Sequence, residues 1–468
     1  MTKHIVRTDD YERRSVKAIT APSLVTPDGD ILAATEDGIA LAFAAQFENR
    51  LLFDHSRGRW YVWKWDHWQI EETDLAFDYA RTLAREFRKQ SQDKSLSKVR
   101  FASEVERAAR SDRRLVARHE DWDCDPLIFG VPGGAVDLKT GDLLPPDPRM
   151  MISRQAAVTP APQGTPAPIW GAFLQEATGR DEELIRFLQI WCGYSLTGST
   201  VEHALCFVYG PGGNGKSVFI NTLTGILGDY AATAAMDSFT AKRFESHSTD
   251  IAALAGARLV VASETEEGKA WAEARLKQLT GGDTITARFM RQDNFTFRPK
   301  FKLTITGNYQ PTLQGADPAM QRRLNIVPFT RTPTNPDKNL EEKLQAEWPA
   351  ILRWMIDGCL AWQEDGLFQP EAVRVATAEY FSDQDLFGQW LEECCDVDQG
   401  NDYKHETSAA LYKSYSAFVR DHGELPLTSK AWGGHMRKHH FIAGNSRAKG
   451  GRFYVGILLL RSEAQYAD

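Results

Sequence analysis

The chain has 468 residues, of which 42% are hydrophobic and 25% are charged, and its formal net charge is −8. This composition excludes a disordered or fibrous protein and predicts roughly three domains, each with its own core. Six cysteines without any C-x-x-C pair exclude a zinc ribbon and a secreted disulfide framework, and no apolar stretch approaches the ~18 residues of a membrane span, so we predict a cytoplasmic protein without membrane contact.

The N-terminal region combines helical and strand patterns. Apolar residues recur at helical spacing over 73–90 and 103–119, whereas residues 58–70 alternate as in a β-hairpin. We therefore predict a mixed α/β region over 1–158. The four prolines of TPAPQGTPAP then predict a linker over 159–170.

Two clusters in this region allow both a functional and a structural interpretation. The tryptophans of the hairpin could stack on nucleic-acid bases, but aromatic residues in strands more often form a core. Residues 121–126 (DWDCDP) could hold a metal ion, but no further acid or histidine accompanies them, which favours a solvated loop. The tryptophans are Trp60, Trp63, Trp65 and Trp68.

Short apolar runs follow the linker and predict the strands of one sheet. They lie at 204–210, 256–264, 301–308 and 322–329. Continuous apolar runs are typical of parallel strands that are covered on both faces. A helical pattern that ends at Gly198 precedes the first run. We therefore predict an α/β fold with a three-layer core over 171–345.

The first of these runs leads into a glycine-rich loop and then into a helical pattern. The loop fits G-x-x-x-x-G-K-[ST], in which backbone N–H groups converge on phosphates at the N-terminus of a helix. We predict that Lys216 contacts the β- and γ-phosphates of ATP and that the Ser217 hydroxyl binds Mg²⁺. The predicted nucleotide-binding residues are Gly210, Pro211, Gly212, Gly213, Asn214, Gly215, Lys216, Ser217 and Val218.

Polar residues follow the next two runs. Glu264 comes directly after an apolar run, so we assign it to the metal and the attacking water, with Glu266 and Glu267 as alternatives because sequence does not fix the register. Asn308 ends the third run, where it could sense the γ-phosphate or the attacking water. These residues complete the predicted hydrolytic centre.

Arg322 and Arg323 precede the fourth run. A guanidinium can neutralise charge on a transferred phosphoryl group, and a neighbouring subunit often supplies it. We therefore predict that one of the two arginines acts in trans, within a ring built from repeated head-to-tail contacts.

Two basic regions contrast with the acidic total charge. The segments ITARFM and FTFRPKF alternate around RQDN and predict a β-hairpin, which carries five basic side chains and one acid over residues 288–302. Residues 410–452 carry eight basic side chains and two acids. Such patches suit nucleic-acid phosphates. The predicted DNA-binding residues are Lys277, Arg288, Arg291, Lys300, Arg437, Lys438, Arg447 and Lys449.

The C-terminal third is predominantly helical. An amphipathic helix is predicted to end at Gly366. The patterns that follow predict helices over 385–395, 408–423 and 428–441, and a strand pair over 451–460. Small helical units with a terminal β-wing commonly bind DNA. We therefore predict a helical extension over 346–380 and a winged-helix-like DNA-binding domain over 381–468.

Several sequence blocks together resemble the superfamily 3 helicases of phages, plasmids and satellite elements. This family includes the phage/plasmid primase-helicases and is related to the poxvirus D5-type replication helicase. The blocks are LQIWCGYSLTG, VYGPGGNGKSVF, VVASETEEG, LKQLTGGDTITARF, LTITGNYQP and RRLNIVPF, in family order. The resemblance extends over about 120–460.

The resemblance implies a role for each block. It makes Gly210–Ser217 the Walker A element, Glu264 or the adjacent pair the Walker B acid, Lys277–Arg288 the B′ element, Asn308 the motif C asparagine, and Arg322 or Arg323 the arginine finger. It also implies that the core over 171–345 is an AAA+-like P-loop NTPase. It further implies a hexameric ring that uses ATP and Mg²⁺ to move 3′ to 5′ along single-stranded DNA in the cytoplasm of a bacterial host. Full-length members carry a primase domain before the helicase. No primase domain is recognised in this sequence, so we expect no primer synthesis by this chain. A separate primase is then a candidate partner.

The leading interpretation is an ATP-dependent DNA helicase that acts on single-stranded and on forked or origin DNA during replication of a phage, prophage or plasmid. An alternative is a DNA-binding replication initiator that uses ATP to assemble on or melt an origin without processive unwinding. A small-molecule kinase is a third interpretation, which would require an acceptor pocket and would not respond to DNA.

Overall fold

The computed structural model describes residues 34–91, 93–241, 248–264, 269–288, 293–313, 317–333, 336–422, 426–446 and 451–460. Its helices are α1 (Glu36–Phe47), α2 (Leu75–Gln90), α3 (Val99–Ala109), α4 (Pro168–Thr178), α5 (Glu182–Leu196), α6 (Lys216–Leu227), α7 (Ser248–Ala252), α8 (Glu273–Thr280), α9 (Pro318–Gln321), α10 (Leu340–Asp365), α11 (Glu371–Gln384), α12 (Leu386–Cys394), α13 (Ser408–Asp421) and α14 (Ser429–Lys438). Among these helices, none has the length and apolar character needed to cross a membrane.

In the part of the chain that the structure describes, the strands belong to six small or medium sheets. They are β1 (Leu51–Asp54), β2 (Arg59–Trp63), β3 (Trp68–Ile70), β4 (Val116–Ala117), β5 (Ile128–Val131), β6 (Gly134–Asp137), β7 (Asp142–Leu144), β8 (Leu205–Tyr209), β9 (Ala231–Thr233), β10 (Leu259–Glu264), β11 (Ile285–Ala287), β12 (Phe295–Phe297), β13 (Lys302–Gly307), β14 (Leu324–Pro328), β15 (Cys395–Val397), β16 (His405–Thr407), β17 (Ala443–Ser446), β18 (Gly451–Val455) and β19 (Ile457–Leu459).

The N-terminal part is a four-stranded sheet, in the order β3-β2-β1-β4, packed against α1, α2 and α3. The antiparallel pair β2-β3 confirms the predicted hairpin, and α2 confirms the helix predicted over 73–90. Trp60 and Trp68 are buried, which fits their interpretation as core residues, whereas Trp65 is 63% exposed.

The helix predicted over 103–119 is wrong beyond Ala109. There the chain turns, because the carboxylate of Asp112 accepts hydrogen bonds from the backbone N–H and the guanidinium of Arg114. A side chain that binds the nearby backbone in this way competes with helical hydrogen bonds. Val116 and Ala117 then form β4, which pairs in parallel with β1.

The proline-rich segment predicted as a linker packs against the core. The main chain of Ala161 donates to the carbonyl of Pro349 and accepts from Nε of Arg353, both at 2.8 Å. Hydrophobic residues on both sides of the segment, such as Phe129 and Trp170, belong to one cluster. The sheet β5-β6-β7 therefore shares a core with the residues that follow, and the division into domains stays a prediction.

Five parallel strands form the central sheet, in the order β14-β8-β13-β10-β9. Strands β8, β10, β13 and β14 confirm the four predicted strands, and with them the α/β class. Tyr209 aligns with both Gly307 and Pro328, and Glu264 aligns with Gly307, so the carboxyl ends of these strands share one edge. The sequence did not predict β9, a three-residue edge strand.

Apolar clusters cover both faces of this sheet. Cys206 and Val208 pack in the cluster that contains α5, α6 and α10, whereas the intervening Phe207 packs in the cluster that contains α8. Such alternation explains why every residue of the strand is apolar. Helices α5 and α10 approach closely, since a methyl group on Gly193 would lie only 2.1 Å from the backbone nitrogen of Cys359.

The C-terminal part has three helices around a hydrophobic cluster that includes Trp390 and Trp432. Helices α12, α13 and α14 confirm the predicted helices, and α10 ends at Gly366 as predicted. The predicted strand pair is wrong in its pairing, because β18 pairs with β16 and β17 while β19 pairs with β15. Only Gly456 separates β18 from β19, which is too short for a hairpin loop. The winged-helix assignment stays a prediction.

Candidate functional site

The glycine-rich loop joins β8 to α6 at the carboxyl edge of the central sheet. A methyl group on Gly210 would lie 1.8 Å from the carbonyl oxygen of Phe329, and one on Gly215 would lie 2.7 Å from Cε2 of Phe173. Gly210, Gly213 and Gly215 also have positive φ angles, which L side chains adopt at a cost. This backbone path therefore requires glycine at Gly210 and Gly215.

Lys216 is the first residue of α6, and its amine is buried inside the loop. Its Nζ donates to the carbonyls of Gly210 and Pro211, at 2.6 and 2.9 Å, and to Oδ1 of Asn214, at 3.0 Å. Asn214 in turn donates from Nδ2 to the carbonyl of Phe329. Burial lowers the pKa of Lys216. The loop thus surrounds a cation at the N-terminus of a 12-residue helix.

A cavity of about 500 Å³ lies against this loop. The loop side is formed by Gly212 through Val218, with Ser217 exposed to it, and Asn308 also lines it. The rest of the lining is largely apolar and comes from α4, from the segment after β14 and from the start of α10. Its residues are Ile169, Ala172, Phe173, Glu176, Ala177, Arg331, Pro333, Pro336, Asp337 and Leu340.

The sheet brings the predicted acid and asparagine to the same edge as the loop. Glu264 ends β10 and Asn308 follows β13, the strand between β10 and β8. Ser263, one residue before Glu264, aligns with Thr306, two residues before Asn308, and their hydroxyl oxygens are 3.2 Å apart. Parallel strands therefore place the two predicted positions next to each other, and Asn308 is exposed to the cavity.

Some predicted positions lie outside the described residues. They are Glu266, Glu267, Arg291, Arg447 and Lys449.

Arg322 and Arg323 lie at the opposite, amino edge of the sheet. They come directly before β14, and Leu324 at the start of β14 aligns with Leu205 at the start of β8. Arg322 is exposed, and Nη1 of Arg323 donates to the carbonyl of Ala319 at 2.9 Å. The full length of the sheet therefore separates these arginines from the loop of their own chain.

Among the basic residues predicted to bind DNA, two are engaged with the protein. The amine of Lys277 contacts the carboxylates of Asp317 and Glu273, and Nζ of Lys300 donates to the carbonyl of Asp123 at 2.7 Å. Burial lowers the pKa of Lys300. Neither amine points freely to solvent.

Three others among them are exposed. Arg288 follows β11, and the antiparallel pair β11-β12 confirms the predicted hairpin. Arg437 and Lys438 end α14. The pKa of the Asp317 carboxyl is lowered, mainly by the hydrogen bond from Lys277, and the nearby charge of Lys438 adds to this effect.

Sequence reasoning missed Arg331, which lies in the wall of the cavity beside the loop. It follows the carboxyl end of β14, so its position could have been inferred from the strand order, but only after the order was known. A second cavity, of about 900 Å³, lies between the N-terminal sheet and the core. Its lining mixes acids such as Glu71 and Glu120 with bases such as Arg154 and Arg298, which favours no single class of charged ligand.

Family models and curated relatives connect the chain to viral helicases. A model described as "D5 N terminal like" matches residues 40–179, and one described as a family of unknown function (DUF5906) matches residues 208–323. The chain is 28% identical over 233 residues to "Putative helicase L207/L206" of Acanthamoeba polyphaga mimivirus, covering 45% of this chain and 24% of that protein. It is 26% identical over 268 residues to "Putative helicase 022R" of Frog virus 3 (isolate Goorha), covering 52% of this chain and 27% of that protein.

These matches confirm the resemblance to D5-type helicases. The matched part spans about a quarter of the length of each of these relatives. Among solved structures, "The A form apo structure of NrS-1 C terminal region-CTR" covers 87% of this chain and 96% of its own, with a TM-score of 0.46 and 10% identity. A similarity at that level supports no inference about function.

Proposed function

We propose that this chain, a relative of D5-type viral helicases, is an ATP-dependent DNA helicase of the superfamily 3 type that acts in replication. In this proposal, a P-loop core with an AAA+-like arrangement couples ATP hydrolysis to movement along single-stranded DNA. The chain is similar to proteins described as helicases, and the geometry of its glycine-rich loop supports the ATPase activity that a helicase needs.

The observation that carries the proposal is the buried amine of Lys216 within a loop whose backbone requires glycine at Gly210 and Gly215. The loop ends at the N-terminus of α6, where unpaired backbone N–H groups favour an anion. Outside the loop, the lining of the adjoining cavity is largely apolar, as expected for a ligand that combines phosphates with an aromatic base. These features together fit a nucleoside triphosphate better than a simple anion.

The donor set also fits a magnesium ion. When bound with the nucleotide, the ion would neutralise charge on the transferred phosphoryl group, and the Ser217 hydroxyl and Glu264 carboxylate would hold it. Lys216 would then leave its loop carbonyls to donate to the β- and γ-phosphates. Asn308, at the end of the strand between β10 and β8, would orient the attacking water.

The position of the arginines supports a ring. Arg322 and Arg323 cannot serve the loop of their own chain across the sheet, whereas a head-to-tail neighbour could present them to it. We propose a hexameric ring in which one of them completes each active site. The exposed Arg288 beside the hairpin, and Arg437 in a winged-helix-like C-terminal module, would contact DNA phosphates.

A strand-displacement assay tests the proposal. The full chain, supplied with ATP and Mg²⁺, should separate a forked DNA duplex. Lys216→Ala should abolish separation, because the β- and γ-phosphates lose their cation, while Lys89→Ala should leave it intact, since Lys89 forms a surface pair with Glu86.

The outcomes distinguish the functions. DNA-stimulated ATP hydrolysis without any strand separation would favour the replication initiator instead. Hydrolysis that DNA does not affect would contradict both, and equal activity of Lys216→Ala and the wild type would refute the site.

A further inference from the structure

Arg331 is a second cation of the cavity beside the loop, and the chain path fixes its position. The segment after β14 runs alongside the loop: the N–H of Phe329 donates to the carbonyl of Tyr209 at 2.7 Å, and its carbonyl accepts from Asn214. A methyl group on Gly213 would lie 3.9 Å from Cγ2 of Thr332. Arg331 is therefore held between two contacts with the loop.

The Arg331 side chain extends from the loop side toward the C-terminus of α4. A methyl group on Gly179, the residue after α4, would lie 3.1 Å from Nε of Arg331 and 3.5 Å from its Cγ. Within the described part of the chain, no carboxylate forms an ion pair with Arg331, whereas Asp337 in the same cavity pairs with Lys343 at 2.6 Å. The guanidinium of Arg331 is thus available to an anionic ligand.

The strand order determines which end of a bound nucleotide Arg331 would face. Glu264 and Asn308 follow β10 and β13, which lie on one side of β8, whereas Arg331 follows β14 on the other side. The transferred phosphate must lie on the side of Glu264 and Asn308 in the proposed mechanism. The nucleoside end must then lie on the side of β14.

The polarity of the cavity wall agrees with this orientation. Phe173 and Ala177 of α4 and Leu340 at the start of α10 form apolar surface on the side of Arg331. An aromatic base gains from burial against such a surface. A guanidinium beside that wall is suited to the phosphate next to the ribose, because its planar donors can bind phosphate oxygens in pairs.

We propose that Arg331 holds the nucleoside end of the bound nucleotide by contacting the phosphate next to the ribose, and that it is a binding residue that takes no part in the phosphoryl transfer. This inference rests on the proposed nucleotide site. It predicts that Arg331 determines nucleotide affinity and leaves the rate of the chemical step unchanged.

The experiment measures the affinity of three probes for the full chain: ADP, ATPγS and inorganic pyrophosphate, whose two phosphates would take the β and γ positions beside Lys216. Arg331→Ala should weaken ADP and ATPγS by the same factor, roughly 10- to 100-fold, as expected for the loss of a hydrogen bond to a charged group. Affinity for pyrophosphate should stay unchanged, because it then has no phosphate at the position next to the ribose. The KM for ATP should rise while kcat stays the same, and Arg331→Lys should recover part of the affinity.

Arg374→Ala is the matched control, because Arg374 is an exposed arginine that pairs with Glu371 on α11, away from the cavity. A merely structural role for Arg331 would weaken pyrophosphate as much as ADP, and melting curves of Arg331→Ala and Arg331→Gln would register any loss of fold. If the Ala variant does not fold, Arg331→Gln takes its place in the binding assays.

Three results would overturn the inference. Unchanged ADP affinity would remove Arg331 from the site, an equal loss for pyrophosphate would exclude a specific contact with the phosphate next to the ribose, and a lower kcat with unchanged KM would place Arg331 at the transferred phosphate. Each of these leaves the proposed ATPase intact. If the wild type binds none of the probes, the proposed nucleotide site itself fails, and the inference with it.

Discussion

The opposite positions of the arginines and the phosphate loop predict that an active site needs two chains. Arg322 and Arg323 come before β14, and the loop begins where β8, its neighbour in the sheet, ends. At about 3.3 Å per residue, the five residues of β14 span roughly 17 Å, which exceeds the length of an arginine side chain. A finger from this position can reach only the loop of a neighbouring chain.

The perturbation separates the two halves of such a site. Lys216→Ala removes the cation of the loop but keeps both arginines, whereas the double variant Arg322→Ala/Arg323→Ala keeps the loop and removes the finger. Each variant alone should lose hydrolysis, the second by about 10³- to 10⁵-fold in kcat. In a random equal mixture of the two, about one interface in four pairs an intact loop with an intact arginine in a closed ring.

The assay measures ATP hydrolysis in the presence of single-stranded DNA after the two variants are mixed and allowed to exchange subunits. The mixture should recover about a quarter of the wild-type rate if interfaces act independently. Each variant alone, at the same total protein concentration as the mixture, is the control for effects of concentration. No recovery at any ratio, although both variants exchange into shared oligomers, would refute the arrangement in trans.

Two further predictions concern stability. Gly193→Ala should lower the free energy of unfolding in urea by more than about 2 kcal/mol, because the added methyl group overlaps the backbone of α10. Gly171→Ala on α4 is the control: nothing lies within 4 Å of its added methyl group, so it should raise the free energy of unfolding by about 0.5–1 kcal/mol. Similar effects of the two substitutions would contradict the close approach of α5 and α10. Burial lowers the pKa of His435 and His439 in the folded state below the ordinary value of 6.5. As the pH falls, the unfolded chain therefore binds protons at these histidines before the folded chain does, and the free energy of unfolding should decrease as the pH drops through about 6.5. Equal urea midpoints for the C-terminal part at about pH 7.5 and about pH 5 would contradict this prediction.

The sequence predicted the central sheet well, because its signal is local. Each strand is an apolar run bounded by polar or glycine residues, and the glycines of the loop have few alternatives given their backbone angles. The hairpin β2-β3 and the end of α10 at Gly366 are local features too. Strand β9, with three small residues at the sheet edge, carries no such signal.

Features that depend on tertiary contacts could not be predicted. The Lys300 amine binds the carbonyl of Asp123 because the N-terminal part of the chain packs beside strand β12. The spacing of apolar residues around Lys300 does not reveal that contact. The pairing partner of β19 is likewise 60 residues away in sequence, at β15. Arg331 reaches the cavity only through the order of strands in the sheet, which no local pattern specifies.

The central claim is that the loop around Lys216 binds ATP and that hydrolysis there depends on DNA. The most direct measurement is the rate of ATP hydrolysis by the purified full chain, with Mg²⁺, as single-stranded DNA is added. The wild type should hydrolyse ATP faster with DNA, Lys89→Ala should behave in the same way, and Lys216→Ala should be inactive throughout. A wild-type protein without any hydrolysis in the presence of DNA, or a Lys216→Ala variant as active as the wild type, would contradict the account.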